Sequence, residues 1–427
     1  MPDLSPRQRA AVDALARRFH DSFPAETPAW RTVGREAEHP LVHPDGQAAD
    51  LADLWPALAG PGDLKPKHDA GMLVELSGPR YIYTAEVGRG TVEVITGPNH
   101  DLVELEEVHL EAMSRLVAAA TDAGVAVLGY GIQPLTPGTR ALMTPKPRYG
   151  VLLEVLHDPW LWFTLTASDQ VQVDVGRDEW VALTNLGNLL APLTVALCAN
   201  SPIFEGRPCG SVSARESRMG QICAGTWRHG MPARAHADPA DFIATMSAQD
   251  HLMRWEGGEK VAAEGLFIDT LDAHGADFEQ YLLHEHYIWN SARPRSNHAT
   301  IELRAACQQP PHEHMASAAL GLGVLAAGRD IAALIDDALG DTAWPAMRAW
   351  HHRALAEGLA AELPAPGLVE GILDAMDAAL TDRGRGEARY LAPLKARLAA
   401  RENPAQRALA VFEQGGVPGL VEALRWG

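Results

Sequence analysis

The apolar positions follow two kinds of pattern, and the change from one to the other divides the chain. Val12, Leu15 and Phe19 recur at helical spacing behind Ser5 and Pro6, which predicts an amphipathic helix capped by Ser5 with proline in its first turn. Residues 30–39 end in apolar–polar alternation and read as a strand, as do residues 81–86 and 91–96, joined at Gly88-Arg89-Gly90. A helix is expected to open at Pro98-Asn99, with Leu102, Leu105, Val108, Ala112, Leu116 and Val117 on one stripe and Gly124 ending it. Residues 125–130 read as another strand, 162–175 form the longest alternating stretch, and 300–305 close the strand set. From about Met315 the text turns Ala/Leu-rich: segments 314–339, 342–360, 366–381, 388–401 and 405–414 have helical period, broken at Gly340, Pro364, Gly384 and Pro404. Strands spread through 30–305 and a helical tail together predict an α+β body over 1–310 with a helical C-terminal region, 311–427, packed on it. Regular strand–helix alternation is missing and neither GxGxxG nor GxxxxGK[ST] occurs, so a doubly wound nucleotide-binding fold is not expected.

Charge narrows the function classes. The 427 residues carry 36 Lys+Arg against 55 Asp+Glu, a net of −19, with no basic run, which argues against a general nucleic-acid or anionic-membrane binder. Lysine occurs only at Lys65, Lys67, Lys146, Lys260 and Lys395, so anion binding falls mostly to arginine. The uncharged stretch 181–204 is long enough for a membrane span, but Asn185, Asn188, Pro192, Asn200 and Pro202 point to a buried helix followed by a loop. The opening MPDLSPRQRAA has early charges and no apolar signal core. Four cysteines without CxxC spacing suit a reducing compartment, so a cytoplasmic small-molecule protein is expected.

The informative feature is where the acids sit. Glu36 and Glu38 are two apart on a strand and share a face; Glu93 is embedded in Val92-Glu93-Val94-Ile95, with Glu86 seven positions earlier. Glu302 lies in Thr300-Ile301-Glu302-Leu303-Arg304 with Arg304 on its face, and Gln170, Gln172 and Asp174 alternate along another strand. Any one of these acids taken singly reads as solvated or salt-bridged. Burying an ionised acid among β-branched residues is costly unless it is paired or on a cation. Four strands offering such oxygens to one sheet face predict a hard-cation site suited to Mg²⁺ or Mn²⁺, a kind that works with substrate phosphates.

Ordered motifs carry a resemblance. GREAEHPLVHPDG (34–46), TAEVGRGTVEVITGPNHDL (84–102), GYGIQP (129–134), PRYG (147–150), TASDQVQVDV (166–175), ALCANSPIFEGRPCGSVSAR (196–215) and IELRAA (301–306) resemble, in order, those of the glutamate–cysteine ligase family, ATP-dependent enzymes related in fold to glutamine synthetase. The resemblance implies a largely antiparallel curved sheet with outer helices. It implies a carboxylate attacking the γ-phosphate of ATP, and an amine displacing phosphate from the acyl phosphate to give a γ-glutamyl-type amide, most simply from glutamate and cysteine as in glutathione biosynthesis. It also implies a Mg²⁺ or Mn²⁺ shell of Glu36, Glu38, Glu86, Glu93, Gln170 and Glu302, with Arg304 on a phosphate or carboxylate oxygen, Arg148 and Arg215 on substrate carboxylates and Gln172 at the acceptor pocket. The partners so implied are ATP and amino acids, without nucleic acid or membrane.

The chain departs from the family's pattern at two places near the expected amino-acid pocket. Arg218-Met219-Gly220 stands where a Trp is common, and Ala305–Pro311 lacks a glycine-rich continuation. The interval between Glu86 and Glu93 matches only some branches of the family. The alternatives are therefore the same chemistry on another amino acid or a peptide, or an inactive scaffold. His284-Glu285-His286 and His312-Glu313-His314 stand apart: on a strand His-x-His could hold a metal, whereas His312 and His314, behind Pro310-Pro311, read as loop or helix-start residues.

Overall fold

The computed structural model describes residues 4–223 and 225–427, so Met1–Asp3 of the N-terminal stretch lie outside it. A nine-stranded sheet organises the chain: β1 (Val33–Val42), β2 (Lys65–Asp69), β3 (Met72–Ser77), β4 (Tyr81–Ala85), β5 (Thr91–Asn99), β6 (Ala126–Val127), β7 (Asp169–Asp174), β8 (Ala292–Arg295) and β9 (Thr300–Leu303). Its spatial order is β8-β9-β7-β1-β5-β4-β3-β2, with β6 on the end of β1, and every pairing is antiparallel. The mixed fold of helices on an antiparallel sheet agrees with the α+β expectation.

Alternation gives the sheet two unlike faces. Ala37, Leu41, Val92, Val94, Val171 and Val173 point into apolar core, against the helix Leu102–Asp122 on one half and Ala316–Ala326 on the other. The second contact is close: a Cβ on Gly321 would stand 2.8 Å from Val171 Cγ1. Arg35 also lies on this buried side, and its Nε and Nη2 donate to Asp169 Oδ1 and Oδ2 at 2.7 and 2.8 Å, with no exposure of either side chain. Nη2 donates as well to the His314 carbonyl at 2.7 Å, which ties β1 and β7 to the turn before Ala316–Ala326. One apolar cluster draws on the first helix (Leu15, Phe19), β7 and the C-terminal helices (Leu373, Met376, Leu394).

Most expected elements are present, with displaced ends. The first helix is Pro6–Asp21, closed by a capping box between Ser5 and Gln8. The second long helix does not open at Pro98-Asn99: β5 continues through Asn99, and the helix begins at Leu102 because Asp101 accepts from the amides of Val103 and Glu104. The alternating stretch 162–175 is not one strand. Asp158–Thr164 is a 3₁₀ helix whose Trp160 and Phe163 rings stack at 4.4 Å, and only Asp169–Asp174 is extended. Segment 125–130 shrinks to the two residues of β6, and 314–339 splits at Ala327 into Ala316–Ala326 and Gly328–Leu339. Stretch 181–204 holds Trp180–Leu189 and Ala191–Cys198, bent by 47°, the latter buried throughout. Among the described residues no single helix is long and apolar enough to cross a membrane.

Removing one partner of a buried ion pair strands the other charge. Asp169→Ala should lower unfolding free energy by about 3–5 kcal/mol, whereas Arg35→Met with Asp169→Leu together should lose far less. Urea denaturation of the three proteins checks this, and equal losses in the single and double variants would place the energy elsewhere.

Candidate active site

The polar face of the sheet opens into a cleft of about 220 Å³. Its floor is β1, β5 and β7; its walls come from the helix Pro147–Leu156, the 3₁₀ turn Asp158–Thr164, the helix Ala214–Ile222 and residues 286–289. Lining it are Glu36, Glu38, Glu86, Glu93 and Gln170 on the floor, with Arg148, Arg215, Arg293 and Arg304 around them. Trp160, Phe163 and Trp289 form an apolar wall, with ring centroids 4.4 to 6.0 Å apart.

Register brings the acids together. Glu38 on β1 pairs directly across from Glu93 on β5, a juxtaposition that is unfavourable for like charges. Glu86, just past β4, completes a group of three whose nearest carboxylate oxygens all lie within 4.8 Å of one another. Burial, then Glu86, Glu36 and Glu38, push the Glu93 carboxyl well above the ordinary range. Burial and Glu86 raise Glu38, although Glu38 Oε2 accepts from the Ser168 amide at 2.6 Å and Oε1 from Gln170 Nε2 at 2.9 Å. Glu36 is raised to about 7 by burial and by Glu302, and its Oε1 accepts from Gln172 Nε2 at 2.6 Å. Three all-oxygen donors held together against their own repulsion fit a hard divalent cation, whose charge removes that repulsion.

The remaining sequence candidates occupy distinct places. Glu302 lies on β9 beside the cleft: Arg293 Nε donates to its Oε2 at 2.6 Å, Arg295 stands 3.6 Å away, and Arg304 donates to Oε1. Despite burial, these guanidiniums hold its carboxyl well below the ordinary range. Arg304 also donates to Gln170 Oε1, which joins the arginine group to the acids. Gln172 is not among the lining residues; it bridges Glu36 and Thr300 Oγ1. Arg215 meets the cleft with one side and pairs with buried Glu216, whose Oε2 is 3.5 Å from His229 Nε2. Arg148 lies over the Tyr149 ring at 5.0 Å and donates to its hydroxyl at 3.2 Å.

Sequence reasoning missed Arg293, Lys146 and the aromatic wall, and noted His286 only as half of a His-x-His pair that could hold a metal. Arg293-Pro294-Arg295 alternates as Glu302-x-Arg304 does, and that spacing was the available signal for Arg293. Lys146 Nζ donates to the Ala85 carbonyl beside Glu86 and Glu93, and burial lowers its pKa. His284 and His286 fall on the helix Phe278–His286 rather than a strand, so they diverge. His284 stacks on Phe267 at 4.4 Å and bonds the Met246 carbonyl, whereas His286 lines the cleft. His312 belongs to a 3₁₀ turn, and His314 behind it stacks on His109 at 5.6 Å. Of the two departures from the family pattern, Met219 lines the cleft, while Cys307–Gln309 are buried beyond it. There Gln308 Nε2 donates to the Glu38 carbonyl at 2.9 Å.

A family model described as Glutamate-cysteine ligase family 2 matches residues 32–423. A glutamate–cysteine ligase of Mycolicibacterium smegmatis, EgtA, is 29% identical over 224 residues, 51% of this chain and 44% of its own. A glutamate–cysteine ligase of Halobacterium salinarum is 27% identical over 221 residues, 52% of each chain. The chain thus spans about half the length of these two relatives. The crystal structure of glutamate–cysteine ligase from Francisella tularensis in complex with AMP superposes with a TM-score of 0.52 at 10% identity, over 94% of this chain and 88% of that one, a likeness of fold.

The raised carboxyls set a pH dependence. Glu36 ionises near 4.5 when unfolded and at about 7 when folded, so the stability its protonated form contributes is full below 4.5 and lost as pH rises through 7. In cation-free buffer, Glu36→Gln should therefore gain stability relative to the parent protein across that window and hold the gain above it. At about pH 8, Mg²⁺ or Mn²⁺ should raise the Tm of the parent protein and leave that of Glu93→Gln nearly unmoved. Equal responses of the two proteins would separate Glu93 from any cation.

Proposed function

Because the chain belongs to glutamate–cysteine ligase family 2, we propose that it is an ATP-dependent carboxylate–amine ligase that forms a γ-glutamyl-type amide through an acyl phosphate. The observation that carries this reading is the convergence of Glu38, Glu86 and Glu93 within 4.8 Å beneath a ring of arginines. Such a site suits a reaction that brings a triphosphate and a carboxylate together, both anions. A divalent cation on Glu38, Glu86 and Glu93, with Glu36 and Gln170 beside them, supplies charge neutralisation for the phosphates when bound.

The chain's own residues do the positioning. Arg304, fixed by Glu302 and Gln170, presents its guanidinium where the transferring phosphoryl oxygens gather charge. Arg293, whose donors are taken up by Glu302 and the His286 and Ile288 carbonyls, adds a fixed positive charge to that wall. Arg148 and Arg215, on the opposite walls, take the carboxylates of the amino-acid substrates. The Trp160–Phe163–Trp289 wall keeps water from the acyl phosphate until the amine arrives. Cysteine is the simplest acceptor. A different amine is the second reading, favoured by Met219, the one departure from the family pattern that lines the cleft.

Product mass from glutamate, ATP, Mg²⁺ and a panel of amines is the test. A γ-glutamyl amide with cysteine supports the first reading and one with another amine the second, while a panel that leaves ATP intact ends both. In the active pairing, Glu93→Ala should lose at least about 10²-fold in turnover. Arg215→Lys should raise an amino-acid KM and leave that for ATP unchanged, because lysine cannot copy the planar fork.

A further inference from the structure

The ligase reading leaves one chemical need without a residue. An amine acceptor is an ammonium ion near neutral pH, and its nitrogen attacks only after a proton leaves. Among the lining residues, Glu38, Glu86 and Glu93 are assigned to the cation, and Glu36 stands beside it, where the cation's charge would make it a weak base. Burial raises Tyr149 and Tyr287, so both stay protonated. The arginines have no lone pair to offer. His286 is left.

We propose that His286 is the general base that takes the proton from the acceptor's ammonium group, an inference that rests on the ligase reading. Its place is built. His286 is the last residue of the helix Phe278–His286, and Arg293 Nη1 donates to its carbonyl at 2.8 Å while the same guanidinium grips Glu302. The backbone is thus tied to β8 and β9, and the ring, set edge-on to Tyr287 at 4.9 Å, is turned to the cleft. Among the described residues neither ring nitrogen makes a hydrogen bond, unlike His284, which is fixed to Met246 and Phe267. An imidazole held by its backbone, with both nitrogens free at a substrate cleft, is arranged to exchange protons rather than to support the fold.

The groups facing it add an order of events. Burial first, and then the charges of Arg293, Arg295 and Arg148, opposed by Glu302, hold the ring uncharged well below the ordinary histidine range. Before ATP reacts the ring is therefore free of a proton but weakly basic. An acyl phosphate lying against the arginines brings negative charge that offsets theirs, and the imidazole becomes a stronger base when the amine needs it. One ammonium proton passes to the imidazole, and the nitrogen lone pair forms the C–N bond. The acyl C–O bond breaks with its electrons on the phosphate oxygen, and the second nitrogen proton leaves with phosphate.

Hydroxylamine distinguishes this role from a structural one, because it is uncharged at neutral pH and needs no base. Parent and His286→Gln proteins are compared with glutamate, ATP and Mg²⁺, using hydroxylamine in one arm and, in the other, cysteine or whichever acceptor the product-mass panel returns. Amide formation should fall about 10²-fold in the variant while hydroxamate formation stays within about threefold. The variant's residual amide rate should climb more steeply with pH than the parent's, following the free-amine fraction. Equal loss of both products would make His286 structural, and loss of neither would give the proton to another group. A parent protein that forms neither product removes the ligase reading itself, and this inference with it.

Discussion

Repulsion between carboxylates is the constraint around which the molecule is arranged. Buried Glu38 and Glu93 face each other across two adjacent central strands, and half-buried Glu86 joins them, where water screens the charges less than at an open surface. Backbone pairing forces the approach, and the surroundings make it tolerable. The Ser168 amide and Gln170 bind Glu38, Gln172 binds Glu36, and Gln170 hands the network on to Arg304. Burial first, and then the repulsion that these bonds leave, raise the carboxyls, and a cation would offset both.

Positive charge is supplied on both sides of the sheet, in different ways. On the cleft side Arg293, Arg295 and Arg304 share Glu302, and two of them, Arg293 and Arg304, line the cavity. On the core side Arg35 is fully consumed by Asp169 and the His314 carbonyl. The first set is available to an anionic ligand and the second is purely architectural. A single acid shared among three arginines holds them in place without neutralising them.

The acids were legible in the sequence because strands repeat every two residues, so a carboxylate inside a β-branched run declares its face. That ground put Glu36 and Glu38 on one face and marked Glu93 on its own strand, while the ordered motifs joined them, and the elements near them lie close to where the pattern put them. The rest depends on contacts that leave no local period. Residues 162–164 open a stretch that alternates farther on, yet they belong to a 3₁₀ turn in which Trp160 and Phe163, three apart, stack. Pro98 invited a helix start, yet the side chain of Asp101 supplies the better cap, three residues on. Arg293 and His286 are invisible to periodicity because β8 is four residues long and the helix that bears His286 ends there.

The opposite charges on the two faces of β1 also bear on how the sheet assembles. Arg35, Glu36 and Glu38 sit on consecutive and alternate positions, so a slip of one residue against β5 or β7 would thrust Glu36 and Glu38 into the aliphatic core and lift Arg35 away from Asp169. A strand of plain valines would slide at little cost. This one carries its own proofreading: the residues arranged for chemistry on one side and for anchorage on the other make every neighbouring register an electrostatic error, and the functional charges double as an alignment key during folding.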